Sequence, residues 1–172
     1  MQITRQWGMP SKWTFECKPI AALLDRYEIG KGWIDPFCGR TSKAEFRNDL
    51  NPKNNHAAYH MEALDFLNLQ SWKIKGALFD PPYSLTQVSK SYQDIGLKFH
   101  GKENPTGGFP KVKDRLADLL PINGICISFG WNTTGLGKNR GFEIVEILVV
   151  AHGGNRNDTL VTVERKVKGE QK

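Results

Sequence analysis

Ala77-Leu78-Phe79-Asp80-Pro81-Pro82-Tyr83-Ser84 decides how the rest of this chain is read. A short apolar run reads as a buried strand, and this one stops at a carboxylate, two prolines and an aromatic ring. Proline fixes φ and lacks a backbone N–H, so Pro81 and Pro82 force the chain out of the sheet in a stiff turn. Open α/β sheets place their ligands at the carboxyl ends of strands. The turn therefore holds the Asp80 carboxylate, the Pro81 carbonyl and the Tyr83 ring where a ligand is expected. The set suits a flat molecule bearing an amine. Such an amine is a poor nucleophile, because its lone pair is delocalised into the ring. A carboxylate and a carbonyl that each accept one N–H localise the pair and stabilise the positive charge that grows as the nitrogen attacks. An aromatic ring alongside can stack on the heterocycle. The plainer reading is a strand ending in a Pro-Pro turn, with Asp80 as a turn residue. The neighbouring segments decide between the two.

The 172 residues are 39% apolar, enough for one compact domain with its own core. No apolar run approaches the length of a bilayer span, and Trp7, Lys12 and Trp13 interrupt any leader-like stretch. A cytoplasmic protein with no membrane partner is expected. Cys17, Cys38 and Cys126 are odd in number and widely spaced, so neither a disulfide framework nor a zinc site is expected. A formal charge of +6 favours a polyanionic partner.

Residues 1–14 carry Arg5, Trp7, Lys12 and Trp13 without clear periodicity and are expected to form an arm packed on the domain. Apolar positions Ile20, Leu23, Leu24 and Tyr27 then have helical spacing, with Pro19 in the first turn and Gly30 and Gly32 closing the helix. Trp33-Ile34-Asp35-Pro36-Phe37-Cys38-Gly39 repeats the pattern of a short strand closed by Asp-Pro, and Gly39 lets a ligand approach the main chain. There is no G-x-G-x-x-G and no G-K-[ST] loop, which disfavours nicotinamide and P-loop nucleotide binding. A second strand is expected over 44–49, ending at Asp49, where such folds hydrogen-bond ribose hydroxyls; alternatively Asp49 is a turn residue before Asn51-Pro52. A helix starting at Glu62 or Asp65, a strand over 73–79 and a helix over 85–92 follow. Gly96 to Pro110 reads as a mobile basic surface loop within a longer segment, 84–113, that carries Lys90, Lys98, Lys102, Lys111 and Lys113. A helix over 111–120 and a strand from Gly124 come next. Strands over 142–152 and 159–165 are joined by Gly153-Gly154-Asn155-Arg156-Asn157-Asp158, a connection suited to an antiparallel hairpin.

In this order the segments resemble the S-adenosylmethionine-dependent DNA methyltransferases that act on amino groups, over nearly the whole chain. Asp80-Pro81-Pro82-Tyr83 resembles that family's catalytic motif in its adenine-N6 form. Asp35-Pro36-Phe37-Cys38-Gly39 resembles its cofactor loop, and Phe15-Glu16-Cys17-Lys18-Pro19 the segment that closes over the methionine end. Asp49, with Leu50, falls on the ribose-binding acid, and Glu62, with Ala63, on the acid near the cofactor's adenine. Asn48-Asp49-Leu50-Asn51-Pro52, Tyr59-His60-Met61-Glu62-Ala63-Leu64 and Asp80-Pro81-Pro82-Tyr83-Ser84, with Gln87 and Tyr92, resemble small phage and archaeal enzymes of this kind. The resemblance implies a single Rossmann-like α/β domain with a mostly parallel seven-stranded sheet, an antiparallel C-terminal hairpin and helices on both faces. It also implies S-adenosylmethionine as cofactor, no metal, and methyl transfer to N6 of a flipped adenine in DNA, within a prokaryotic or virus-infected cell. Cytosine N4, an RNA base, a protein glutamine, or a non-catalytic DNA-binding module remain as alternatives. Two departures stand out. Only Arg40, Thr41, Ser42 and Lys43 separate Gly39 from the second strand, too few for the family's usual helix. There is also no inserted target-recognition domain. Any sequence readout falls to 84–113, to the N-terminal arm, or to another subunit of an oligomer or complex.

Overall fold

The computed structural model describes residues 1–69, 73–98 and 109–168. Seven strands form one sheet in the order β1-β6-β7-β5-β4-β2-β3. They are β1 (Gln2–Trp7), β2 (Trp33–Asp35), β3 (Phe46–Arg47), β4 (Gly76–Phe79), β5 (Ile125–Gly130), β6 (Phe142–Ala151) and β7 (Thr159–Lys166). Only β7 runs against its neighbours, β5 and β6; all other pairings are parallel. The expected α/β fold with its antiparallel final hairpin is what the chain adopts.

Among the described residues the α-helices are α1 (Lys18–Arg26), α2 (Ala63–Asn68), α3 (Leu85–Gln93) and α4 (Pro110–Leu119). Alternation along the strands sorts the core into two layers. Trp33, Leu78, Ile127 and Phe129 face one side, where α1 buries Ile20, Leu23 and Leu24. Each of these aliphatic side chains contributes roughly 1.5–3 kcal/mol on leaving water. Ile34, Ala77, Phe79 and Cys126 face the other side, against Phe66 and Leu67 of α2 and Val112, Leu116 and Ala117 of α4. Gly76 is required in β4: a Cβ there would stand 2.7 Å from the Trp33 ring on the adjacent strand.

The structure corrects two expectations. Residues 1–14 are not simply an arm, because Gln2–Trp7 adds a parallel edge strand along β6, with Gln2 opposite Glu146 and Trp7 opposite Ala151. All but one of its residues are exposed, so no buried face imposed an alternating pattern on the sequence. The second strand is far shorter than 44–49. Its ladder with β2 ends at Arg47 opposite Asp35, where Pro36 turns β2 out of the sheet; beyond it Asn48 donates its backbone N–H to Asp35 O at 3.0 Å and forms an isolated bridge with Tyr59. The residues after Gly39 form turns without a helix, as the short spacing requires. Most of the loop expected from Gly96 to Pro110, including Lys102, lies outside the described residues. Among those described, no helix is long and apolar enough to cross a membrane.

Candidate active site

Strand order reverses between β2 and β4, since β2 leads outward to β3 while β4 leads the other way to β5. Crevices open at the carboxyl ends of strands at such a switch point. The loops leaving β2 and β4 are the two quoted Asp-Pro segments, and they face one cavity of about 330 Å³. A cavity of this size lies at the lower end of the range for small-molecule sites.

Pro36, Phe37 and Gly39 line it from the β2 loop, and Asp80, Pro81, Pro82 and Tyr83 from the β4 turn. Asp49, Leu50, Glu62 and Ala63 complete the wall opposite. Gly39 sits at φ +52°, a left-handed conformation, and so offers backbone where other residues would place a side chain. Asp35 lies beneath, fully buried, with Oδ1 accepting the Phe37 N–H at 3.0 Å. Its Oδ2 is buried with no hydrogen-bond partner among the described residues. Burial pushes its carboxyl up to about 7.

Asp49 is both a turn residue and a wall of the cavity. Its Oδ1 accepts the Asn51 N–H at 2.8 Å, and its Oδ2 accepts from Asn54 Nδ2 at 2.8 Å. Asn54 Nδ2 also reaches Gly39 O at 2.5 Å, tying the two loops together. Asn48 does the same from below, donating to Pro36 O at 3.1 Å and Met61 O at 3.0 Å while accepting the Met61 N–H at 3.2 Å. Glu62 is the N-cap residue of α2 but makes no side-chain cap bond; its carboxylate accepts the Tyr92 hydroxyl of α3 at 2.6 Å.

The Asp80–Tyr83 turn is tethered in the same way. The Tyr83 hydroxyl donates to Asp80 Oδ1, and the Thr14 side chain also bonds the Asp80 carboxylate. Gln87 Oε1 accepts the Tyr83 N–H at 2.6 Å, and Ser84 caps α3 by accepting the Gln87 N–H at 3.3 Å. Loss of hydration raises the Asp80 carboxyl above its ordinary range, and the bonds from Tyr83 and Thr14 pull it back. Burial, then the Asp80 charge, keeps the Tyr83 phenol protonated. The Tyr83 hydroxyl is thus committed to Asp80, while its ring remains one wall of the cavity. Its ring stands 5.7 Å from Trp131, tilted by 58°.

A second, smaller cavity of about 130 Å³ lies beyond the turn, lined by Pro81, Pro82, Tyr83, Lys113, Ser128, Trp131 and Asn132 among others. Pro81, Pro82 and Tyr83 thus belong to both cavities.

Several expected site residues fall elsewhere. Phe15 is buried in the α1 layer with its ring 5.2 Å from Phe129. Lys18 is exposed and Pro19 buried in the first turn of α1, so neither lines the cavity. Helical geometry turned this segment toward the core, and it is Thr14, in the preceding 3-10 turn Thr14–Glu16, that reaches Asp80. Cys38 is buried, its thiol bonded to Gly39 O at 3.3 Å. Lys90, Lys98 and Lys111 are exposed, as a phosphate-binding role needs. Lys113 is half-buried, its ammonium 5.5 Å from the centre of the Phe79 ring, and is not a free surface cation. Cavity residues beyond those expected are Thr14, Asn48, Met61, Gln87, Val88, Ser91, Tyr92 and Phe109. Phe109 is held at φ +58°, with its ring 5.2 Å from Phe37.

No family model and no curated protein sequence matches the chain. Solved structures do match its fold. TrmN from Thermus thermophilus superposes with a TM-score of 0.54 at 19% identity, covering 88% of this chain and 49% of that one. The chain thus spans about half the length of TrmN. The 1,6-didemethyltoxoflavin-N1-methyltransferase of Burkholderia thailandensis, with its substrate and S-adenosylhomocysteine bound, gives 0.55 at 12% identity over 86% of this chain and 76% of that one. The N-methyltransferase NodS of Bradyrhizobium japonicum, in complex with S-adenosylhomocysteine, gives 0.54 at 10% identity over 92% and 90%. The sheet order, the hairpin and these superpositions together give the chain the Rossmann-like fold of the class I methyltransferases.

Proposed function

We propose that this chain transfers a methyl group from S-adenosylmethionine to N6 of an adenine in DNA, after the base has left the helix. The observation that carries the reading is the stiff Asp80–Tyr83 turn standing between two cavities, one large enough for a cofactor and one of the size of a single ring. The larger cavity fits the cofactor chemically. Gly39 presents backbone, and Asp49 and Glu62 supply carboxylates for hydroxyl and amino groups. Two of the fold neighbours hold S-adenosylhomocysteine, which supports the same assignment.

S-adenosylmethionine, when bound, supplies a methyl group on an electron-poor sulfur. The chain's own residues prepare the acceptor. A carboxylate offers about four lone-pair directions, and the Tyr83 and Thr14 bonds occupy two at Asp80, leaving room for an amine N–H. The Pro81 carbonyl would take the second N–H. Held between the two, the amine keeps its lone pair localised, and the growing positive charge meets a fixed negative one in a water-poor site. Tyr83 and Trp131 offer aromatic faces to the base. Extrusion from a duplex costs roughly a few kcal/mol of stacking. The exposed Lys90, Lys98 and Lys111, with Lys102, would neutralise phosphates beside it.

Nucleoside mass analysis after incubation with labelled S-adenosylmethionine and either DNA or RNA tests the reading. N6-methyladenine from DNA is the expected product. Asp80→Ala should lower the rate by a factor of about 10²–10³ or more, while calorimetry finds S-adenosylhomocysteine binding retained. Full activity in Asp80→Ala would sink the mechanism. Label in cytosine or in RNA would overturn the choice of acceptor, and no label in either nucleic acid would leave a binding module.

A further inference from the structure

We infer that Lys113 donates a hydrogen bond to a ring nitrogen or carbonyl of the heterocycle seated in the second cavity, and so selects which ring is accepted. The inference rests on reading that cavity as the acceptor's. Lys113 follows the buried Val112 and lies one turn before the buried Leu116 and Ala117 on α4. The helix face that packs on the sheet therefore carries the lysine inward with it. Its ammonium comes to rest over the face of Phe79, the residue preceding Asp80, and lines the cavity with Ser128, Trp131 and Asn132.

An ammonium has three donors and no acceptor capacity. Among the described residues Lys113 makes no hydrogen bond and no ion pair, and its ammonium rests against the Phe79 ring. Glu164, the carboxylate whose charge favours the ammonium, is already engaged. Glu164 accepts the Leu136 N–H at 2.6 Å through Oε2 and the Gly137 N–H at 2.8 Å through Oε1. The like-charged Arg140 opposes the ammonium, itself bonded to Asp114 at 2.6 Å and to Leu136 O at 2.9 Å. Burial and Arg140 both make it easier for Lys113 to lose its proton. A half-buried cation in this state is stabilised by whatever acceptor enters beside it.

The chemistry fixes which ligand that is. An exocyclic amine is itself a donor, so it cannot meet the ammonium and must turn toward Asp80. The ring edge that reaches Lys113 must then carry an acceptor. A ring with an amine on one edge and a bare nitrogen or carbonyl on another satisfies both ends of the site. A ring presenting N–H to Lys113 is refused, because donor would face donor.

A residue-by-atom cycle tests this. Single-stranded oligonucleotides with one adenine among thymines are prepared, with ring nitrogens N1, N3 and N7 replaced in turn by C–H. Binding in the presence of S-adenosylhomocysteine and the KM against kcat split with S-adenosylmethionine are both measured. Lys113→Met keeps the apolar stem; Lys113→Gln serves if the Met variant does not fold, as judged by its urea transition. One nitrogen replacement should weaken the wild type by about 10-fold to 100-fold, the worth of a charge-assisted bond, and should leave the variant nearly unaffected. The loss should fall on KM and on binding, since Lys113 touches the ring and not the attacking amine. Three penalties that persist unchanged in the variant would overturn the inference. So would a uniform weakening of every oligonucleotide with unchanged penalties, which would assign Lys113 to a phosphate. Failure of the wild type to bind or methylate the parent oligonucleotide would overturn the underlying reading of the cavity instead.

Discussion

Asp35→Asn should remove a pH-dependent burden on the fold. The Asp35 side chain is fully buried, with one oxygen bonded to the Phe37 N–H and the other without a partner among the described residues. Loss of hydration raises the carboxyl from its ordinary 3.8 to about 7, with the charges on Asp80 and Asp49 adding and the Ser42 side chain and the Phe37 N–H opposing. A rise of about 3 units, at 1.36 kcal/mol each, corresponds to roughly 4 kcal/mol. The sign follows from proton binding. Between the two values the native state holds a proton that the unfolded chain has released, so stability is whole below pH 3.8 and is lost as pH climbs toward about 7. An asparagine has no proton to lose. The buried amide adds a fixed cost that does not change with pH. Urea unfolding of both proteins at about pH 4.5, 6, 7 and 8 isolates the effect as a difference. The variant should gain on the wild type by roughly 1 kcal/mol per pH unit across this range and then level off. A difference that stays constant from pH about 4.5 to 8 would refute burial of an ionisable Asp35 as the cause.

Asp49→Ala should weaken S-adenosylhomocysteine by about 10-fold to 100-fold in calorimetry, the loss of a charge-assisted hydrogen bond. Unchanged affinity would leave Asp49 only its turn bonds to Asn51 and Asn54. Replacing both Lys90 and Lys98 by Ala should flatten the log–log salt dependence of DNA binding by roughly 2 units, at about 0.9 per phosphate contact, with S-adenosylhomocysteine affinity intact. The weakening should be equal for all DNA sequences, since phosphate contacts position without specifying. An unaltered slope would place the DNA footprint elsewhere on the surface.

The parts of this fold visible in the sequence are those where local chemistry and burial agree. Trp33–Asp35 and Gly76–Phe79 are buried on both faces and end in proline, so apolar run and turn chemistry mark the same boundary. The helix at Lys18–Arg26 announces itself through one apolar stripe and Pro19. Edge strand β1 was not legible, because a strand exposed on both sides has no reason to alternate. Asp49 and Glu62 were legible as cavity acids, but their partners Asn54 and Tyr92 were not, since hydrogen bonds across loops leave no periodicity. Phe15, Lys18 and Pro19 show the opposite case: a matching segment whose side chains the helix turned into the core or out to solvent. Lys113 could have been found. Its spacing from Leu116 and Ala117 places it beside the buried face of α4, a signal that reading it as one of a run of lysines concealed.

β1 can join the sheet only after β6 exists. Gly8 O meets His152 Nδ1 at 2.9 Å across 144 positions of chain, so on a growing polypeptide the edge waits until His152 has been made. The entropy of closing so long a loop grows only as (3/2)RT ln n, which lets the strand dock late without great cost. The lining of both cavities lies between Thr14 and Gly135, all of it made before β6 emerges. Order of assembly and order of function are therefore separable in this chain. The edge closes only after the residues that line the site have been made.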